Sequence, residues 1–443
     1  MAKDLTVGRP SKQMTLFALP MIVSVIFQQF YSMADNIIAG QCISDGALAA
    51  VGNAYPITMI YMAVALGINI GCSVVISQLF GAKDYGKTRS AVSTALFTTT
   101  ALGLVMTLLG LLLAQPLLHL LQTPADIFED TTAYLDIYTL GLCFIFLYNI
   151  CTGTFNALGD SVTPLVFLIA SSLANVFVNL LFVLVFQMGV AGLAWATFLC
   201  QGAAAALAFL VLMRKLRLLY RGPYRRFSGE LLKKEAILSV PGILQQSFIS
   251  VGNLLIQGVI NSQGTAVIGA FSAVAKLNTF AVQLFTTVSN AVSAFTAQNI
   301  GAGKLDRIKQ GLRYGITINL FISAAFALIY TLGSSLVLQI FVSRESIEIL
   351  RIGQTFLHLV PCFYPLVCIK LSLDGVLHGA GDAKAFMVST LADLVLRTAL
   401  SFLLSPALGY YGVWIAWPIG WTVGTILSAW YYFRGGWKQI FRI

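Results

Sequence analysis

The sequence predicts an all-α, polytopic membrane protein: twelve transmembrane helices in two six-helix lobes, related by a pseudo-twofold along the membrane normal. Three observations predict it. Of 443 residues, 58% are hydrophobic and only 10% charged, and the mean hydropathy is +0.84; a soluble domain carries about 25% charged residues. The apolar residues come in runs of about 20, the length that crosses a hydrocarbon core. Finally, the runs form two similar sets of six. Charge this sparse cannot cover a water-soluble particle, so disorder, a disulfide scaffold and an ordinary cytosolic enzyme are excluded. Unbroken apolar runs, rather than alternating ten-residue segments, exclude a transmembrane β-barrel.

The runs lie near residues 14–40, 51–79, 91–114, 131–155, 164–186, 191–213, 236–260, 266–297, 314–341, 352–377, 386–405 and 412–433. The first is too long for the core of a cleavable signal peptide. Basic residues orient the spans. The N-terminus, the even-numbered loops and the tail hold 22 of the 27 Lys and Arg residues, eight of them in the sixth loop between Arg214 and Lys234. The opposite loops hold only Arg344 and Arg351. The positive-inside rule then puts both termini in the cytoplasm, as an even number of spans requires. The net charge of +10 is thus an orientation signal, not a nucleic-acid footprint. The seven cysteines lie mostly within apolar runs without a C-x-x-C pair and read as small core residues. His119, His358 and His378 show no metal-ligand spacing, and no cofactor is expected.

An internal repeat divides the chain. Gly159-Asp160 recurs as Gly381-Asp382, and the same 222-residue offset carries Gly153 to Gly375, Ala194 to Ala416 and Trp195 to Trp417. Gln78-Leu-Phe-Gly81-Ala82 aligns with Gln298-Asn-Ile-Gly301-Ala302, and Pro20 with Pro241. The expected organisation is an N-lobe over 1–213, a basic cytoplasmic linker over 214–235 and a C-lobe over 236–443. Copies with an even number of spans share one orientation, so a cavity between lobes is expected.

With these residues in view, the chain resembles the multidrug and toxic compound extrusion (MATE) family. The resemblance spans nearly the whole chain. It rests on twelve spans in two lobes and on Asp35-Asn-Ile-Ile-Ala-Gly40 ending the first span. It also rests on Gln-x-x-Gly-Ala after the second and eighth spans, and Gly-x-x-x-x-x-Gly-Asp after the fourth and tenth. It implies an antiporter that exports organic, often cationic, compounds in exchange for H+ or Na+.

Seven ionisable residues lie within spans: Asp35, Asp136, Lys276, Lys370, Asp374, Asp393 and Arg397. Such groups are expensive at membrane depth and are functional candidates by default. Asp35 has no basic neighbour at i±3 or i±4, so it is a candidate to bind and release a proton; the plainer alternative is a hydrated interfacial residue or a cap. The family resemblance implies that Asp35 is the N-lobe coupling aspartate, with Asn175, Asn179 and Thr197 as its polar partners on the fifth and sixth helices. Some relatives carry a second aspartate where this chain has Asn179; one negative charge fewer favours H+ over a dehydrated Na+. Asn175 and Asn179 share a helical face and could instead simply bond neighbouring helices.

In the C-lobe, Lys370/Asp374 and Asp393/Arg397 are each spaced i, i+4, so each pair can neutralise itself within its helix. They read first as structural pairs; the sharper reading is a relay in which protonation of Asp374 or Asp393 frees its basic partner. Another branch of the family uses a glutamate in the seventh helix. Here no acid lies between Pro241 and Gly264, where the amides include Gln245, Gln246, Asn253 and Gln257. Tyr31, Gln245 and Gln246 are the candidate substrate-cavity residues, the aromatic face of Tyr31 suiting flat organic cations. Lys276 is expected to snorkel or pair locally, and Asp136 to lie at the interface.

The expectation is a proton-coupled, or Na+-coupled, efflux antiporter of the plasma membrane that works by alternating access as a monomer among lipids. A flippase for a lipid-linked precursor, from the same broad superfamily, is the alternative; it would need a more cationic central cavity than three in-span bases provide. No catalytic cluster or repeated filter loop marks an enzyme or a channel.

Overall fold

A hydrocarbon core offers no water to backbone N–H and C=O groups, so a chain this apolar must satisfy them within helices. The computed structural model describes residues 4–38, 43 and 45–438, without the side chains of 34–37, 45 and 48. The first repeat holds α1 (Pro10–Ile37), α2 (Asp45–Gly81), α3 (Tyr85–Leu120), α4 (Ala125–Leu140), α5 (Leu142–Ala157), α6 (Val162–Leu180) and α7 (Gly189–Leu219). The second holds α8 (Gly229–Asn261), α9 (Thr265–Gly301), α10 (Leu305–Leu332), the short α11 (Ser334–Leu338), α12 (Ile347–Leu359), α13 (Tyr364–Gly379), α14 (Ala383–Leu408) and α15 (Tyr410–Arg434). Among the described residues, eleven helical segments are long and apolar enough to cross a membrane. The pair α4–α5, bent by 47° at Gly141, makes a twelfth. Side chains such as Phe321, Leu332 and Phe433 stand about four-fifths exposed, an arrangement suited to lipid and not to water.

Several helices outrun the apolar runs that announced them. α3 starts six residues early, α8 seven and α10 nine, because hydropathy reads only the lipid-facing turns and misses amphipathic extensions into the basic loops. Two further spans are broken. The tenth is α12 and α13 joined by a 3₁₀ turn, Val360–Phe363, where Pro361 and Pro365 withhold backbone donors. The ninth stops at Gly333, and α11 follows as a separate turn.

The chain divides into two compact units. One is formed mainly by Leu19–Ile243, the other by Leu5–Ala18 with the chain from Leu244 onward. The start of α8, up to Ile243, is therefore packed within the first unit, and the start of α1, up to Ala18, within the second. Leu5, fully buried in the second unit, donates its N–H to Gln298 Oε1 at 3.0 Å and accepts from Arg307 Nη2 at 3.1 Å. Arg307 also donates to Gly8 O, and Lys304 to Thr6 O.

The repeated motifs build the same turns twice. Gly159 and Gly381 adopt φ of 75° and 84°, the left-handed cap that ends a helix without a Cβ penalty. The aspartate that follows each caps the next helix: Asp160 Oδ1 accepts from Thr163 N and Asp382 Oδ1 from Ala385 N, as an N-cap does. Close helix crossings are repeated too. Gly153 of α5 lies against Asn69 of α2, and the matching Gly375 of α13 lies against Ser289 of α9, whose carbonyl would be 2.6 Å from an added Cβ.

Asp160 has a further partner that, among the described residues, its repeat mate lacks: Lys215 of α7 bonds its Oδ2, which also accepts from the Thr163 hydroxyl. Burial alone would push this carboxyl up, but the Lys215 ammonium and the Thr163 donors outweigh it and hold the group below the usual carboxylate range. A depressed folded-state pKa stabilises the fold above the ordinary carboxylate value, and the contribution disappears as pH falls through the depressed one. The melting-temperature gap between wild type and Asp160→Asn in detergent is thus expected to be constant near neutrality and to close in acid. A gap independent of pH down to about 3 would show that the ionised carboxylate is not what holds the turn.

Candidate functional site

Two polar constellations lie inside the apolar helices, one in each unit. In the first, Tyr31 of α1 donates its hydroxyl to Asn175 Oδ1 of α6 at 3.1 Å, and Asn179 Nδ2 donates to the same oxygen at 2.8 Å. Both asparagines are buried. Their i, i+4 spacing permits the bond between them, and the tyrosine links that face to α1. Asp35 lies four residues after Tyr31 on α1; its side chain is outside the described residues. Thr197 is half-buried on α7 and, among the described residues, bonds neither asparagine. The structure thus joins Tyr31, assigned from sequence to the cavity, with the two asparagines assigned to coupling. A bulge supports this region: α6 ends in a π turn at Leu181–Val185, directly after Asn179, and such turns favour functional sites.

The second constellation is denser. Lys370 and Asp374 of α13 are almost wholly buried and paired at 2.8 Å. Lys370 Nζ also lies 3.8 Å from Asp393 Oδ2 of α14. Asp374 Oδ1 accepts hydrogen bonds from Ser389 at 3.0 Å and Ser428 at 2.5 Å. Arg397 does not close on Asp393 as the i, i+4 spacing suggested. Its guanidinium sits 4.6 Å from the centre of the Trp417 ring of α15, a cation–π contact that is strengthened away from water. The expected pair of self-neutralising pairs is therefore one cluster of two acids and two bases shared among three helices. Its formal charge is zero, which makes it tolerable at this depth.

Two glycines of α15 create the room. A Cβ on Gly424 would lie 2.5 Å from Lys370 Cε, and one on Gly420 would lie 2.7 Å from Asp393 Oδ1. Small residues four apart permit close helix approach in membranes. The acids differ in their surroundings. Asp374 has three donors, whereas Asp393 Oδ1 has no hydrogen-bond partner among the described residues. Of the two acids, Asp393 is the one with an open acceptor oxygen. One turn away, Gln245 of α8 donates to Thr390 Oγ1 of α14 at 2.9 Å, so this cavity candidate borders the relay candidates. Gln246 is half-buried beside it. Lys276 sits 5.6 Å from the Phe341 ring, a local partner as expected.

Sequence reasoning missed Ser389 and Ser428, because serines are common in membrane helices. It also missed Gly420 and Gly424, although their G-x-x-x-G spacing was visible.

Sparse charge buried within two repeats of apolar helices defines a class, the duplicated multi-pass membrane transporter. The MatE family model matches residues 20–181 and again 241–403, with starts and ends displaced by the repeat offset. The chain belongs to this family, that of the MATE transporters. It is 29% identical to the probable multidrug resistance protein YpnP of Bacillus subtilis (strain 168), over 99% of this chain and 98% of that one. It is 21% identical to the multidrug export protein MepA of Staphylococcus saprophyticus, over 91% and 89% of the two chains. Its fold matches that of an outward-facing multidrug resistance MATE family transporter of the MOP superfamily with a TM-score of 0.92 at 22% identity, covering 99% of this chain and 98% of that one.

Removing Lys370 leaves two buried carboxylates without their shared cation. Lys370→Met is therefore expected to cost about 3–5 kcal/mol, and adding Asp374→Asn should restore part of the loss. Thermal unfolding of the two variants in detergent checks this. A double variant no more stable than the single one would mean that Asp374 is not the partner that matters.

Proposed function

We propose that this transporter is a secondary active antiporter of the plasma membrane. It exports organic, mainly cationic, compounds in exchange for protons entering down their gradient, with both termini in the cytoplasm and a monomer as the working unit. The observation that carries the reading is the Tyr31–Asn175–Asn179 cluster, which links α1 to the buried amides of α6, with Tyr31 one helical turn from Asp35. An acid one helical turn from neutral amides and a phenol finds hydrogen-bonding groups there that bring no charge of their own. It can exist protonated or ionised, and a cation or a proton can supply the missing charge. Asn179 brings no second negative charge, which favours a proton over a dehydrated Na+.

The cycle follows from competition. Substrate enters an inward-facing cavity, the protein switches to its outward-facing form, and protonation of Asp35 from outside disfavours the bound cation. Pro20, fifteen residues earlier on α1, cannot donate to the helical ladder and gives the first helix a point at which to bend. The return step releases the proton to the cytoplasm. The α13–α15 cluster, neutral as it stands, does not attract an organic cation. Its proposed part is a relay: a proton on Asp393 weakens the 3.8 Å contact with Lys370 and alters the packing of α14 on α13. Names of relatives such as multidrug resistance protein and multidrug export protein support efflux of drugs.

Ethidium efflux from proteoliposomes tests this, driven first by a pH gradient and then by a Na+ gradient. Efflux driven by the pH gradient alone, reduced to the protein-free rate in Asp35→Asn, is the expected outcome. Loss only in Asp393→Asn would move coupling to the second cluster. Efflux driven by Na+ alone would overturn the proton assignment. No transport of ethidium or of other organic cations under either gradient would sink the drug reading and turn attention to lipid-linked substrates.

A further inference from the structure

Among the described residues outside both constellations, one buried carboxyl has neither a hydrogen-bond nor an ion-pair partner. Glu235 lies near the start of α8, within the stretch that packs in the first unit, and is 2% exposed. Neither carboxylate oxygen has a hydrogen-bond partner, and no ion pair reaches it. The groups around it are accounted for. From α2 the titratable neighbour is the thiol of buried Cys72. On α8 itself, Ser239 commits its hydroxyl to Ile68 O, and Lys233 and Lys234 point into solvent, the latter paired with Glu230 at 3.0 Å. On α3, Lys87 pairs with Asp84. The crossing of α8 over α2 is tight: Gly67 lies against Ile243, and Gly71 against Leu238 and Ser239.

The internal repeat shows what this socket is built for. The offset that takes Pro20 to Pro241 takes Met14 to Glu235, and the offset along the second helix of each repeat takes Cys72 to Val292. Met14 is fully buried in the second unit, beside Gly315 and its neighbour Val292. One copy thus fills the position with an apolar methionine, and the other with a side chain of similar length that can ionise. An unpaired carboxylate is costly to bury, so a socket of this kind favours a neutral occupant.

We propose that Glu235 is a proton-binding site whose protonated form docks the amino-terminal segment of α8 onto α2, and whose ionised form releases it. Docking of this segment then takes up one proton and undocking returns it at the basic-rich end of the helix. The site is distinct from Asp35 and from the α13–α15 cluster, and it does not depend on the antiport reading.

Cys72, sealed beneath the segment, reports on it. The full-length protein in vesicles, with the other six cysteines replaced, would be treated with N-ethylmaleimide between pH 6 and 9. Where Glu235 is neutral or undocked, thiol ionisation speeds the reaction alike in both proteins, so the informative quantity is the rate with Glu235 divided by the rate in Glu235→Met, the side chain that the other repeat uses. The ratio is expected to be near one at pH 6 and, above the point of ionisation, to rise by up to about tenfold per pH unit, the limit for release of one proton. A flat ratio would overturn the proposal. A falling ratio would do so too, since it means that Glu235 ionises while still docked and suppresses the thiolate. The isosteric Glu235→Gln supplies a second measurement. The infrared difference between wild type and this variant at pH 6 should contain a protonated-carboxyl stretch, and its absence would equally overturn the proposal.

Discussion

A polar group inside this protein has no water to fall back on. Every donor, acceptor and charge within the apolar helices must find a partner in the chain or remain neutral. That constraint makes the fold helical, and it governs each place where a helix is interrupted. At Gly141 the backbone N–H still reaches the carbonyls of Ile137 and Tyr138. At Val360–Phe363 the ladder tightens to a 3₁₀ turn and resumes in α13. Large aromatic side chains obey the same rule. Tyr330 and Tyr364 are buried in the core of the second unit, yet their hydroxyls donate to Leu277 O and Asn278 Oδ1.

Duplication answers the constraint economically, since a turn that satisfies its own backbone once can serve again. The Gly-Asp turn merges a left-handed C-cap and an N-cap into two residues. The Gln-x-x-Gly-Ala turn recurs with the same left-handed residue, although this is Lys83 in one copy and Gly303 in the other, at φ of 60° and 69°. The copies have diverged where chemistry requires it. Among the described residues, Asp160 pairs with Lys215, whereas the Asp382 carboxylate only caps its helix. The first repeat gathers neutral amides and a tyrosine near Asp35, whereas the second gathers a charge-balanced quartet. The shared turns answer the backbone's needs, and the polar side chains set the two repeats apart.

Within the quartet the arrangement, and not the list of residues, sets the chemistry. Lys370 stands between two carboxylates at 2.8 and 3.8 Å, so it holds Asp374 more closely than Asp393. Arg397, turned onto the Trp417 ring, leaves Asp393 without the guanidinium that its spacing seemed to promise. Had the two closed on each other, both pairs would be saturated and neither acid would have an open oxygen.

Composition, run length and loop charge determined on their own that this chain is a multi-pass helical membrane protein, because the cost of burying charge in hydrocarbon is paid residue by residue and needs no knowledge of neighbours. Periodicity likewise made the duplication legible: Gly153, Gly159-Asp160 and Pro20 return at a nearly constant offset because each serves a local backbone need. The candidate residues Asn175, Asn179, Lys370, Asp374 and Asp393 were visible for the same reason, as polar groups where polarity is costly. Tertiary structure alone decided who meets whom. Tyr31 joining Asn175, Arg397 choosing Trp417, the serines closing on Asp374 and the isolation of Glu235 all depend on side chains from different helices. Helical spacing predicts neighbours only along one helix, and a contact across two depends on their crossing, which small residues such as Gly420 and Gly424 permit but do not announce.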